Sequence, residues 1–211
     1  MEQSAKKTGK TYEMDMCSGA LFPKIVAFAV PLILSGILQL LFNAADIIVV
    51  GHFAGRESLA AVGSTTALIN LMINVFVGLS IGANVLVAQY SGAKKLKDLE
   101  ETVHTAMMIA LAGGFLLIFV GVFFSGPMLG LMGTPDDVLP LAALYLKIYF
   151  VGMPATLTYN FGAAILRAVG DTRRPLYFLL FAGAVNVVLN LVFVIVFSMG
   201  VAGVATATVV S

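Results

Sequence analysis

The first long apolar segment of the chain carries a carboxylic acid, Asp46, among leucine, isoleucine and valine. Helical steps of four and three residues join Gln39, Asn43 and Asp46, so their side chains share one face of a helix. A carboxylate held away from water can exchange a proton or bind a cation such as Na⁺. The spacing therefore predicts a polar stripe along this helix, with Asp46 as a functional group. For Gln39 and Asn43 taken alone, hydrogen bonds between helices are an equally good explanation.

Amide side chains recur at helical spacing in later apolar segments. Asn186 and Asn190 lie four residues apart, and Asn160 and Thr208 are further polar candidates in other segments. Each asparagine by itself is more often a hydrogen-bonding partner between helices than a functional group. Their joint occurrence with Asp46 predicts that these side chains line a hydrated cavity between helices.

Two other residues inside apolar segments affect how such a cavity would be built. Pro31 removes a backbone donor from the helix that carries Asp46, which predicts a bend there. The bend is interpreted either as a static kink or as a hinge that responds to the charge on Asp46. Lys147 falls nearly opposite Asn160 by helical phase. This phase favours a lysine that extends toward the lipid headgroups over one that faces the cavity.

The elements that must position these residues are membrane-spanning helices. Hydrophobic residues make up 60% of the chain and charged residues only 11%, with a mean hydropathy of +1.01. Apolar runs of about 20 residues or more can cross a bilayer core about 30 Å thick. Five such runs are predicted, at 24–50, 59–89, 103–124, 139–166 and 176–198, and a sixth helix begins near Val201. We therefore predict a cytoplasmic amino-terminal segment at 1–23 and one transmembrane lobe at 24–211.

The distribution of basic residues predicts the orientation of this lobe. Ten of the twelve lysines and arginines precede the first span, or lie between spans two and three or between spans four and five. Basic residues of short loops stay on the cytoplasmic side, which predicts a cytoplasmic amino terminus and a multi-pass protein of a bacterial cytoplasmic (inner) membrane. The lipid bilayer is thus a predicted partner. The net charge of +1, without a basic patch interleaved with aromatic residues, argues against nucleic-acid binding.

The sequence lacks motifs for soluble catalysis, namely a phosphate-binding glycine loop, paired histidines at metal spacing, or a serine nucleophile turn. A membrane-embedded enzyme acting on lipid would need several converging acids, histidines or cysteines. Asp46 is the only acid well inside a predicted span. We therefore predict neither an enzyme nor an organic cofactor.

Several segments, in order, resemble the multidrug and toxic compound extrusion (MATE) transporters. The resemblance extends from about Pro31 to Ser211, and its strongest parts are the helix-one pattern that ends DIIVVG, the sequence QYSGA before Lys94, the loop LRAVGDTRRP, the asparagine pair on helix five, and the final stretch GVAGVATATVVS. The combination is much more specific than any one segment.

This resemblance implies an all-α transporter of twelve helices in two six-helix lobes, of which the chain would be the amino-terminal lobe with a truncated sixth helix. Such proteins export amphipathic, often cationic drugs in exchange for Na⁺ or H⁺, and a carboxyl-terminal lobe would be missing here. Asp46 would belong to the cation site, and the nearby polar positions would be Gln39, Asn160, Asn186, Asn190 and Thr208. Some branches have aspartate where this chain has Asn190, which leaves the coupling ion open. The alternative function is a lipid or lipid-linked oligosaccharide flippase of the same superfamily. It would be expected to use a basic groove, for which Lys147 alone is little support.

Overall fold

The computed structural model describes residues 21–211, and all regular secondary structure in that part of the chain is helical. The helices are α1 Leu21–Val49, α2 Gly55–Gly92, α3 Leu96–Leu131, α4 Leu139–Val151, α5 Met153–Ala168, α6 Arg173–Leu191 and α7 Gly200–Val210. Two five-residue π-helical turns follow α1 and α6, at Val50–Ala54 and Val192–Val196. Residues 1–20 of the predicted cytoplasmic segment lie outside the described residues, and its last three begin α1.

The outer surface of this helical bundle is strongly apolar. Large hydrophobic side chains such as Phe22 and Leu40 are 78% and 71% exposed. Within the described residues, three continuous helical segments are long and apolar enough to cross a membrane: Leu21–Gly92, Leu96–Leu131 and Arg173–Val196. The bent pair α4 and α5 makes a fourth if it is taken as one span. Helices satisfy their own backbone polar groups, so this surface suits a bilayer.

The segment Leu21–Gly92 folds back on itself instead of forming one straight helix. Its 72 residues would extend about 108 Å as one straight helix, far more than a bilayer core of about 30 Å. Gly55 interrupts it with φ of +86°, a conformation that only glycine adopts readily. Asp46 and Asn70, on opposite sides of this break, line the same cavity. The five predicted spans therefore correspond to α1, α2, α3, the α4–α5 pair, and α6 with its π-helical turn.

The predicted apolar run 139–166 contains a break, since α4 and α5 meet at an angle of 52° at Gly152. Pro154 in the first turn of α5 cannot donate a backbone hydrogen bond to α4. The same proline packs against Gly114 of α3, where an added Cβ would lie 2.4 Å from the Pro154 Cα. The bend therefore lets α5 approach the backbone of α3.

The helices form two groups that meet at the site described below. Helices α2, α3, α4 and α5 pack together around Leu146, Phe150, Leu157 and Phe161, all buried. Helix α6 packs against α1 on one side and α7 on the other, and α7 also packs against α4. Side chains from distant parts of the sequence converge at one interface. It lies between α1, α6 and α7 on one side and α2 and α4 on the other.

The loop between α5 and α6 contains a buried acid that the sequence analysis did not single out. Asp171 is fully buried, and its Oδ1 accepts hydrogen bonds from the backbone N–H groups of Arg173 and Arg174 at 3.1 Å each. Its other oxygen lies 3.1 Å from Nε of Arg174. The carboxylate thus caps the amino terminus of α6, where free backbone N–H groups favour negative charge. This contact fixes the start of the helix that carries Asn186 and Asn190.

Candidate cation site

A chain of polar side chains connects α1, α6 and α7 in the interior of the lobe. The Asn190 amide nitrogen donates hydrogen bonds to Oδ1 of Asp46 and, at 3.1 Å, to Oδ1 of Asn186. The Asn186 amide nitrogen lies 3.5 Å from Oγ1 of Thr208 and 3.4 Å from Oγ of Ser211. Four of the predicted site residues, Asp46, Asn186, Asn190 and Thr208, are therefore brought together.

Close packing of α1 on α6 makes this arrangement possible. The spacing of four residues puts Asn186 and Asn190 on one face of α6, and Gly183 lies one turn before Asn186 on the same helix. An added Cβ at Gly183 would be 1.9 Å from the ring of Phe42 on α1. The ring therefore occupies the space that a side chain at position 183 would need. Asp46, one turn beyond Phe42, reaches Asn190 as a result.

One oxygen atom at the centre of the site lacks a hydrogen-bond partner. Asn190 is fully buried, and its Oδ1 has no partner among the described residues. The amide nitrogen of Asn190 lies between two acceptors, which fixes the orientation of the amide and leaves this carbonyl oxygen as a free acceptor. Buried acceptors without a donor are costly, and hard cations prefer carboxylate and carbonyl oxygens. Asp46 and Asn190 therefore supply oxygens of the kinds that would suit a cation such as Na⁺.

A cavity of about 310 Å³ opens beside Asp46. Its lining residues are Asn43, Asp46, Ile47, Val62, Thr66, Ile69, Asn70, Tyr145, Tyr149 and Thr208. The rings of Tyr145 and Tyr149 stack with centroids 5.9 Å apart. Tyr145 is buried, with 7% of its surface exposed. The spacing of four residues between the two tyrosines was the sequence signal for a shared aromatic wall.

The structure leaves the other predicted residues outside this cluster. Gln39 is exposed on α1 and is not part of the cavity lining. Asn160 donates to the backbone oxygen of Thr156 on its own helix, at 3.0 Å. Lys147 is exposed, as its helical phase predicted, and no ion pair joins it to Asp46 in the described part of the chain. Pro31 is buried, and α1 continues through it without a break.

Both helices that supply the central contact change to π-helix just beyond it. The first π-helical turn begins four residues after Asp46, and the second begins two residues after Asn190. The two turns also contact each other. Single π-helical turns are uncommon and are frequently found at functional sites. The helical pattern of hydrophobic residues carried no signal for them.

A larger cavity, of about 400 Å³, lies between α2, α3 and α5. Its acidic residues, Asp98 and Glu101, form solvent-exposed ion pairs with Lys95 and Lys97 at 3.8 and 4.0 Å. Exposed pairs of this kind contribute little and leave the carboxylates hydrated. The smaller cavity beside Asp46 is therefore the candidate site.

A helical membrane lobe in which a carboxylate, two amides and a hydroxyl join three helices is typical of a membrane transporter. The MatE family model matches residues 31–192, and the chain belongs to this family of multidrug efflux transporters, which are not enzymes.

Similar proteins and structures share the fold over most of the chain. The probable multidrug resistance protein YpnP of Bacillus subtilis (strain 168) is 32% identical over 93% of the chain and 44% of its own length. The probable multidrug resistance protein YoeA of the same organism is 34% identical over 87% of the chain and 41% of its own length. A solved MOP superfamily transporter from Pyrococcus furiosus Vc1 (DSM3638) superposes with a TM-score of 0.83 and 27% identity, covering 89% of this chain and 41% of that one. The chain thus spans less than half the length of these relatives.

Proposed function

We propose that this chain is the amino-terminal lobe of an antiporter that exports amphipathic or cationic drugs in exchange for Na⁺ or H⁺. The observation that carries the proposal is the partly buried contact between the Asp46 carboxylate and Asn190, whose own carbonyl oxygen is buried and left as a free acceptor. A proton would neutralise this carboxylate, whereas Na⁺ would be held by the oxygens of Asp46 and Asn190. Both ions would therefore change the charge of the same site.

Ion binding drives transport only if the ion prefers one conformation of the protein over another. The site joins α1 and α6 on one side to the cavity wall of α2 and α4 on the other. Charge neutralisation at Asp46 would alter how strongly α1 is held to Asn190. Helix α1 contains Pro31, which weakens its hydrogen bonding one turn earlier. We propose Pro31 as the hinge through which α1 responds.

The cavity chemistry favours a cationic substrate over an anionic one. Its lining includes a carboxylate and two stacked tyrosines but no lysine or arginine. Aromatic faces and carboxylates attract organic cations. A flippase for anionic lipid headgroups would need basic groups in this position, and Lys147 lies outside the cavity. The exporter is therefore preferred over the flippase.

The proposal predicts that drug and coupling ion move in opposite directions. The intact protein, reconstituted in liposomes loaded with a fluorescent cationic drug, should expel the drug when a Na⁺ or H⁺ gradient is imposed. Adding the drug should in turn accelerate ion flux. The two gradients, imposed separately, identify the ion. Drug movement that is the same with and without either gradient would rule out the antiporter. Transfer of lipid between leaflets without a gradient would rule it out as well.

The proposed orientation has a separate test. The loop between α2 and α3 carries Lys94 and Lys95, and Lys97 follows in the first turn of α3. Arg173 and Arg174 begin α6, directly after the loop that follows α5. A reporter that is active only in the cytoplasm should be active when fused after Lys97 or Arg174 and inactive when fused near Asp136. Activity in the reverse pattern would place these loops, and the amino terminus, on the outside.

A further inference from the structure

An apolar groove of about 240 Å³ lies between α3, α5 and α6, away from the Asp46 cavity. Its wall is formed by Met107, Thr158, Tyr159, Gly162, Ala163, Leu166, Pro175 and Phe178. Helix α6 packs mainly on α1 and α7 rather than on α5, and this divergence leaves the groove open. The Tyr159 hydroxyl donates to the backbone oxygen of Pro175 at 3.1 Å and joins the two sides.

Three arginines adjoin groove residues in the sequence, since Arg167 follows Leu166 and two arginines precede Pro175. The Nε of Arg167 donates to the backbone oxygen of Ala163, a groove residue, at 2.9 Å. Arg173 and Arg174 immediately precede Pro175, the first groove residue of α6. Arg174 is engaged by Asp171, whereas Arg173 is exposed and Arg167 is half-buried. The groove thus has an apolar wall along its length and positively charged residues near one end.

The charged end lies at the same membrane face as the loop between α2 and α3. The Asn84 amide nitrogen donates to the backbone oxygen of Ala164 at 2.7 Å, so the last turns of α2 and α5 are level with each other. Tyr177, 55% exposed on the first turns of α6, is placed where interfacial tyrosines are enriched. The arginines are therefore at headgroup depth, and the groove extends from them toward the hydrocarbon.

We propose that this groove binds an anionic glycerophospholipid, with one acyl chain along the apolar wall and the phosphate on Arg167 and Arg173. Guanidinium groups bind phosphate oxygens through paired hydrogen bonds, and basic pockets between transmembrane helices bind anionic headgroups. A cationic drug would be repelled by the same arginines. A zwitterionic lipid would also fill the groove, but it would bind less tightly because the arginines would attract its headgroup less.

Native mass spectrometry of the intact protein with phosphatidylglycerol and phosphatidylcholine of identical acyl chains tests this site. The wild type should retain phosphatidylglycerol preferentially. Each arginine near a membrane surface changes binding about fivefold, so Arg167→Gln with Arg173→Gln should weaken phosphatidylglycerol retention about 25-fold. Arg167→Lys with Arg173→Lys should recover most of it. The matched control, Lys95→Gln with Lys97→Gln, removes two charges at the same face and should have little effect.

A separate substitution tests the apolar part of the proposed lipid site. No atom lies within 4 Å of a Cβ added at Gly162, a residue of the groove wall, so the side chain of Gly162→Leu starts in open space and should extend into the groove. It should reduce retention of both lipids, whereas Gly130→Leu, equally free of neighbours on α3, should not. If Gly162→Leu leaves phosphatidylglycerol retention at the wild-type level, the lipid is not in this groove and the proposal is overturned. If the double lysine variant and the double arginine variant lose phosphatidylglycerol retention equally, the attraction is a nonspecific effect of charge. That result would overturn the proposal as well.

Discussion

Asp46→Asn in the intact protein should reduce ion-driven drug efflux to background while leaving the amount of membrane-inserted protein unchanged. Asparagine has nearly the shape of aspartate, and its side-chain oxygen can still accept the hydrogen bond from Asn190. It cannot ionise, so it can neither release a proton nor attract Na⁺ as strongly. Removing a charge from inside a membrane span lowers the cost of insertion. The variant should therefore fold and insert normally and lose only the coupling of drug efflux to the ion gradient.

The measurement is efflux of a fluorescent cation from cells that contain equal amounts of wild-type and variant protein, under an imposed ion gradient. Asp98→Asn is the matched control, since it removes a partly exposed carboxylate at the start of α3. It should pump at the wild-type rate. A purely structural Asp46 predicts poor expression instead, although hydrogen bonds between membrane helices are worth only about 0.6 kcal/mol on average. Uphill pumping by Asp46→Asn at the wild-type rate would exclude Asp46 as the coupling residue.

The positions of the membrane spans could be predicted because hydrophobic length is a property of the sequence itself. The five apolar runs correspond to helices whose ends differ from the prediction by several residues. The bend at Gly152 was harder to predict, because glycine and proline occur in many straight membrane helices. The bend brings Pro154 against Gly114, and this contact joins residues 40 positions apart in the chain.

The polar site was only partly predictable, because helical spacing fixes which residues share a face but not what lies opposite that face. The spacing of Asn43 and Asp46 indicated one face, and both residues line the cavity. Gln39 lies on the same stripe about 10 Å away along the helix axis, beyond the cavity. Asn160 satisfies its amide on its own backbone. Such local hydrogen bonds compete with contacts between helices and cannot be distinguished from them by spacing.

Gly183→Val should separate α1 from α6 and abolish transport without touching a polar residue. The first added carbon would lie 1.9 Å from the Phe42 ring, so the ring or the whole of α1 must move. Overpacking of this kind costs about 1–3 kcal/mol. Asp46 lies one turn from Phe42 on α1, and displacement of α1 would pull its carboxylate from Asn190. Thermal stability of the purified protein and ion-driven efflux should both fall.

A second substitution should distinguish displacement of α1 from general damage to α6. Phe42→Ala removes the ring that a valine at position 183 would meet, so the double variant, Gly183→Val with Phe42→Ala, should regain stability and part of the efflux. Gly126→Val is the matched control, since no atom lies within 4 Å of its added Cβ, and it should behave like the wild type. If the double variant is no more active or stable than Gly183→Val alone, close packing of Phe42 on Gly183 does not hold Asp46 against Asn190. In that case the position of α1 must be set by its remaining contacts with α6, and the Asp46–Asn190 hydrogen bond itself would be the element that aligns the two helices.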